Sequence, residues 1–221
     1  MNEADYLRLL TRQAEQANDF LSNARKWDRE RWVCQRFLEA LNVPYRQEDF
    51  AAPGEHYRQE DFAAPGEQPP DVLFKGAGFE VFFVLDEGRR LNEEWREELT
   101  RRRQAVSLRQ LIRREERPQR IAAAELQARL APTLRKKAHN YSERGIDHGE
   151  LDLLAFVNLK RAVPDFNTPF PPPTEYLRQG WRSLSMVGPT FARVLFAHSG
   201  APEFLRANLG RSILFDAGVG L

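Results

Sequence analysis

A chain of 221 residues with 33 Lys and Arg against 32 Asp and Glu carries a formal charge of +1, so it is not a globally basic nucleic-acid binder and any basic surface must be local. With 29% charged and 42% hydrophobic residues it is composed as a folded globular protein, and its length fits one large domain or one domain with an appendage. Cys34 is its one cysteine, which rules out an intrachain disulfide, and no apolar run approaches the ~20 residues of a membrane span. The acidic start Met1-Asn2-Glu3-Ala4-Asp5 lacks the basic-then-apolar layout of a signal peptide, so a cytoplasmic protein with no membrane partner is expected.

From Asp5 to about Ala24, Tyr6, Leu10, Ala14, Ala17 and Leu21 recur at helical spacing and predict an amphipathic surface helix. A second helix is expected from an Asp28 N-cap to about Leu41, stopped by Asn42-Val43-Pro44. Its apolar stripe is Cys34, Phe37 and Leu41, and one turn back along that stripe stands Glu30. Glu30 is either a charge aimed at the sheet or a first-turn acid favoured by the helix dipole.

Tyr45 to Glu55 is then repeated residue for residue from Tyr57 to Glu67, with His56 between the copies. One perfect duplication is too solitary for a solenoid and reads as a tandem insertion ending in Ala-Pro-Gly turns. Its acids Glu48, Asp49, Glu60 and Asp61 carry no assigned chemistry.

Pro70 to Leu85 predicts a β-hairpin: two apolar runs flank a tip at Lys75-Gly76-Ala77-Gly78. The second run, Phe79-Glu80-Val81-Phe82-Phe83-Val84-Leu85, is apolar except at Glu80, where a buried charge needs a partner. Pairing about Gly76-Ala77 sets Phe74 opposite Phe79, Leu73 opposite Glu80 and Asp71 opposite Phe82. Asp71 and Glu80 then share a face as diagonal neighbours roughly 7–8 Å apart, with Lys75 on that same face. Two carboxylates so placed suit a hard dication, which is often held by one or two protein carboxylates plus water and phosphate.

After the hairpin, Asn92 caps an expected helix with Leu91, Trp95 and Leu99 inward, and Ser107-Leu-Arg-Gln110 has the form of a capping box opening another, which Pro118 ends. A third runs from about Ile121 to Tyr141, with Pro132 kinking it or opening a new helix. Between Arg101 and Lys137 stand twelve Lys or Arg and three Glu, a solvated face or a phosphate-contacting surface. Leu151 to Leu159 reads as a strand, and His148, Glu150 and Asp152 alternate at its entry, a weak metal-ligand pattern. Pro164 to Pro173 is expected as an extended connector, Tyr176 to Trp181 as helix, Thr190 to Ala197 as the final strand, and Pro202 to Leu209 as a short helix closed by Gly210.

Phosphate-binding Gly-x-x-x-x-Gly-Lys, Gly-x-Ser-x-Gly, Cys-x-x-Cys and His-Glu-x-x-His patterns are absent. The order helix, hairpin, helices, strand, with Pro70-Asp71 and then Glu80, resembles the PD-(D/E)XK nuclease superfamily over roughly Asp28 to Lys160. It is also similar to an uncharacterised bacterial, pseudomonad-type family labelled endonuclease. The resemblance implies an α/β, three-layer, restriction-endonuclease-like fold, a mixed central sheet flanked by helices. It further implies that Asp71 and Glu80 hold Mg²⁺ (or Mn²⁺), with the Val81 carbonyl as a further ligand and Glu30 completing the catalytic set. The superfamily's lysine two residues after the glutamate is replaced by Phe82, so Lys75, or else Lys136 or Lys137, would have to stand near the phosphate.

The expected organisation is a single domain, 1–221, with a nuclease-like core at 28–160 and a C-terminal extension at 161–221 packed on it. The expected function is Mg-dependent hydrolysis of nucleic-acid phosphodiesters, DNA first. The alternatives are a catalytically degenerate nuclease fold that binds nucleic acid or a protein, and an interaction protein whose acids are salt-bridged to Arg89 or Arg90.

Overall fold

The computed structural model describes residues 2–51, 70–113, 117–172, 174 and 179–215. A seven-stranded mixed sheet runs in the order β1-β2-β3-β5-β7-β8-β9. Its strands are β1 (Phe50–Ala51), β2 (Val72–Phe74), β3 (Ala77–Leu85), β5 (Asp152–Asn158), β7 (Ser183–Val187), β8 (Phe191–Ala197) and β9 (Ser212–Leu214). The central strands β3, β5 and β7 are parallel, and each edge is antiparallel. A separate parallel pair joins β4 (Gln119–Ala122) to β6 (Ala162–Asp165).

Helices cover both faces. Phe79 and Val81 of β3 pack with Val33, Cys34 and Phe37 of α2 (Lys26–Ala40), whereas Phe82 and Val84 turn the other way onto Leu126, Leu130 and Leu134 of α4 (Ala123–Glu143). Buried strands between two helical layers are apolar on both faces, which is why β3 and β5 read as continuous hydrophobic runs. α1 (Glu3–Phe20), capped by the Asn2 side chain, lies against α3 (Leu91–Gln104). The short α5 (Glu203–Arg206) packs beneath β8.

Several local expectations change. The hairpin turns on Lys75-Gly76, with φ of 42° and 80°, as a two-residue loop with both central residues in the left-handed region. Phe74 therefore faces Ala77 and Val72 faces Phe79, so continuing the ladder sets Asp71 opposite Glu80 rather than Phe82. α2 starts at Lys26, with Asp28 inside its first turn, and α3 starts at Leu91 with Asn92 already helical. Ser107 makes no cap bond and only a 3-10 turn follows, at Leu108–Leu111. Ile121 and Ala122, expected as the start of a helix, instead end β4, which pairs with β6; β6 also claims the first part of the proline-rich connector. Pro132 sits inside α4 without ending it.

β7 had no counterpart in the sequence reading, and β8 is followed by β9, so it is not the last strand. Residues 161–221, expected as an extension on a 28–160 core, contribute β7, β8 and β9 to the one large sheet. The second repeat copy lies outside the described residues, as do 176–178 of the expected 176–181 helix. Among the described residues no helix is long and apolar enough to cross a membrane.

Candidate functional site

β2 begins at Val72, opposite Phe79, so beyond that point β3 has lost its neighbour on this side. The Val81 N–H would be left without a ladder acceptor, and the Asp71 carboxylate takes its place, accepting that N–H at 2.9 Å. Its other oxygen lies 2.9 Å from the Lys26 ammonium, which also stands 3.3 Å from Glu30 one turn along α2. On the opposite helical layer, Lys137 of α4 donates to Glu80, and the Tyr141 hydroxyl bonds the same carboxylate. Glu30, Asp71 and Glu80 thus gather with Lys26, Lys137 and Tyr141 from α2, the hairpin and α4.

The electrostatics follow from three largely buried carboxylates meeting the shielded Lys137 and the more exposed Lys26. Burial, reinforced by the charge of Asp71 and only partly offset by Lys26, pushes the Glu30 carboxyl up to about 7. Burial and Asp71 likewise raise Glu80 against the pull of Lys137. Lys26 loses hydration, yet Asp71 and Glu30 outweigh that and hold its pKa above the ordinary lysine value. Tyr141 is pushed up by burial and by Glu80, so it stays a proton donor to that carboxylate. Cys34, fully buried beside this field, has its thiol raised in the same way and is a core residue.

Of the four residues nominated from sequence, Asp71, Glu80 and Glu30 come together and Lys75 does not. At positive φ in the turn, Lys75 points elsewhere, 3.0 Å from Asp49 and 3.0 Å from the Pro44 carbonyl. Lys137, named only as an alternative, stands where Lys75 was expected. Lys26 and Tyr141 had no assigned role. All three carried one signal, a polar group in register with an apolar stripe: Lys137 with Leu130, Leu134 and Tyr141, and Lys26 with Glu30, Cys34 and Phe37.

Arg89 and Arg90 are not partners of the cluster, since Arg89 pairs with Glu94 and Asn158 and Arg90 with Glu93. The His148, Glu150, Asp152 pattern also dissolves. His148–Glu150 form a 3-10 turn, the His148 ring lies 4.7 Å from Trp181, and Asp152 is enclosed by Arg182, Ser183 and the Gly78 N–H. The basic stretch is partly neutralised, by Glu98 on Arg101 and Arg102, Glu15 on Arg103 and Glu125 on Arg129. Among the described residues, no three carboxylate, imidazole or thiolate groups converge on one metal position.

Residues 2–57 and again 54–221 match the family described as "Putative endonuclease, protein of unknown function". The two matches overlap at the junction of the repeated segments, in keeping with a duplication added to the family pattern. A solved Pseudomonas aeruginosa protein of unknown function, described as of the monooxygenase superfamily, is 81% identical over 100% of both chains, with a TM-score of 0.69. No curated protein matches the chain. With the family pattern spanning nearly the whole sequence, the chain belongs to that family, DUF1780.

Proposed function

We propose that the protein is a Mg²⁺-dependent endonuclease that hydrolyses nucleic-acid phosphodiesters, DNA in the first instance, on a restriction-endonuclease-like scaffold of the PD-(D/E)XK type. The carrying observation is that, where the β3 edge is uncovered, Lys26 ties Asp71 to Glu30 while Lys137 holds Glu80 on the strand that Asp71 caps. Three acids stand against two cations, and burial, reinforced by the charge of Asp71, raises Glu30. A hard dication fits such an oxygen donor set. Asp71 and Glu80 are the carboxylates to hold it. In a strand the N–H and C=O of one residue point to the same neighbour, so the Val81 carbonyl faces the Asp71 side as well.

When bound, the ion would supply Lewis-acid stabilisation of the phosphate and a water of lowered pKa. The chain's own residues supply the rest. Lys137 restores from a helix the positive charge that Phe82 does not provide in the strand, and it orients Glu80. Tyr141 fixes that carboxylate from a second side. Glu30, near 7, has the proton affinity of a general base at neutral pH. The monooxygenase description belongs to the P. aeruginosa protein; here the contacts of the site are carboxylates, ammonium groups, a phenol and a backbone amide, a set that favours a hard cation and hydrolysis over a redox metal.

Calorimetric titration with Mn²⁺ of wild type and Glu80→Ala, paired with plasmid nicking in Mg²⁺, tests this reading. Metal binding lost in the variant, with nicking by wild type alone, is the expected result. Equal or absent binding in both proteins overturns the site. Binding without nicking identifies a catalytically degenerate nuclease fold that serves as a binding module.

A further inference from the structure

At the other end of β3, roughly 16 Å along the strand from Glu80, a second polar site is built from different residues. β3 and β5 are parallel, and their carboxyl ends open onto a cavity of about 130 Å³. The carboxyl ends of parallel strands are where α/β sheets commonly leave room for ligands. Arg29 of α2, Arg89 of the β3–α3 connection and Lys160 just beyond β5 line this cavity, and Glu94 is its one carboxylate. Arg29 makes no ion pair among the described residues; it donates to the Phe20 and Ser22 carbonyls at 3.3 and 3.1 Å and lies 5.8 Å over the Phe83 ring. Arg89 and Lys160 share Glu94 between them. Asp86 is close by but is turned to the Lys160 and Arg161 backbone N–H groups and is not part of the lining.

The lining therefore carries three cations and one anion in a confined, largely apolar pocket. Burial lowers the Arg89 pKa, and burial together with the neighbouring Arg89 charge lowers that of Lys160, in both cases against a smaller opposing pull from Asp86. The lining alone has a surplus of two positive charges, one of them offset by Asp86 just outside it, and three convergent cationic donors suit the three oxygens of a phosphate monoester better than a single carboxylate. The cavity has roughly the volume of four waters, enough for a phosphate group. It adjoins a larger cleft of about 980 Å³ that shares Phe20, Trp32 and Trp95 as walls. Trp32, in edge-to-face contact with Phe20 and Phe156, and Trp95, with Arg102 5.9 Å over its ring, are the aromatic groups beside the phosphate pocket that a nucleobase would meet.

We propose that this pocket binds the phosphate monoester of a nucleotide, the phosphate among Arg29, Arg89 and Lys160 and the base against Trp32 and Trp95. The monoester has two sources, a free nucleotide or the 5′-phosphorylated end of a strand. Calorimetry with AMP, inorganic phosphate and adenosine, supported by tryptophan fluorescence, tests the site on wild type, Arg29→Gln, Lys160→Gln and the double variant. Arg89 is left intact because it also holds Asn158. AMP should bind with one-to-one stoichiometry and at least about tenfold tighter than phosphate or adenosine alone, and each substitution should weaken it by about tenfold or more, with Lys160→Gln, the exposed position, leaving the unfolding temperature unchanged. A 5′-phosphorylated oligothymidylate that competes better than AMP, with its unphosphorylated form inactive, assigns the strand end; the reverse order assigns the free nucleotide. No AMP binding at about 1 mM, or equal binding by the double variant, overturns the site. Equal affinity for AMP and inorganic phosphate overturns the base platform.

Discussion

Glu80 and Lys137 stand 57 residues apart in the chain and are hydrogen-bonded in the fold, one from the central sheet and the other from the helix that covers it. The pair is mostly shielded from water, so neither charge is easily removed alone. Lys137→Met is expected to cut plasmid nicking by about 10²-fold or more. It should also cost about 1–3 kcal/mol of stability, because a buried carboxylate loses its donor. Adding Glu80→Gln should return much of the stability and none of the activity. Chemical denaturation beside the nicking assay separates the two effects, and a fully additive double variant would show the residues to be uncoupled.

Asp71 has two duties that one substitution can divide. Asp71→Asn keeps an oxygen to accept the Val81 N–H but removes the charge facing Lys26. Unfolding should shift by no more than about 1 kcal/mol, the usual worth of one hydrogen bond, while Mn²⁺ affinity falls at least tenfold. A variant that unfolds early but binds Mn²⁺ normally would assign Asp71 to structure alone.

Stability should depend on pH through Glu30. Its carboxyl is near 7 in the fold and in the ordinary range, near 4.5, when the chain unfolds. A group raised in this way contributes its full stability below the unfolded value and loses it as pH climbs toward the folded one. Between about pH 4.5 and 7 this term should therefore decline in wild type and be absent in Glu30→Gln, with Glu80 adding in the same direction. Thermal unfolding of both proteins across that window checks the sign. Dication binding should discharge the same proton, so Mn²⁺ affinity should increase from pH 6 to pH 8.

Lys75 should be dispensable for cleavage. Its exposed pair with Asp49 is worth at most about 1 kcal/mol, and its positive φ disfavours a lysine. Lys75→Asn, suited to that backbone region, should nick DNA as wild type does and match or slightly exceed its stability. A nicking defect in this variant would return Lys75 to the site.

Much of this architecture is legible in the sequence because it obeys short-range rules. The continuous apolar run through β3 and the alternation of its side chains determine which residues share a face with Glu80, and the stripe on α2 aims Glu30 inward. The hairpin register was misplaced because Ala77, small and apolar, reads equally well as turn or strand; the left-handed Lys75 is what assigns it to the strand. β4 is not legible, and its last two residues read as helix, because its partner β6 lies about forty residues on, a pairing with no local trace. Lys137 was outranked by Lys75 for a similar reason: chain proximity favoured the residue five positions from Glu80 over the one brought near by α4 packing.

The lysine on α2 makes cation occupancy an exchange and not a filling. Lys26 already bridges Asp71 and Glu30, so an incoming dication must evict an ammonium tethered to the same helix, one whose local concentration cannot be diluted away. Apparent affinity then reports a difference between two cations, and the threshold for loading is set by the strength of the tethered one. Removing that ammonium, as Lys26→Ala does, should let the site load at lower Mn²⁺. A substitution that removes positive charge would then act as a gain in sensitivity.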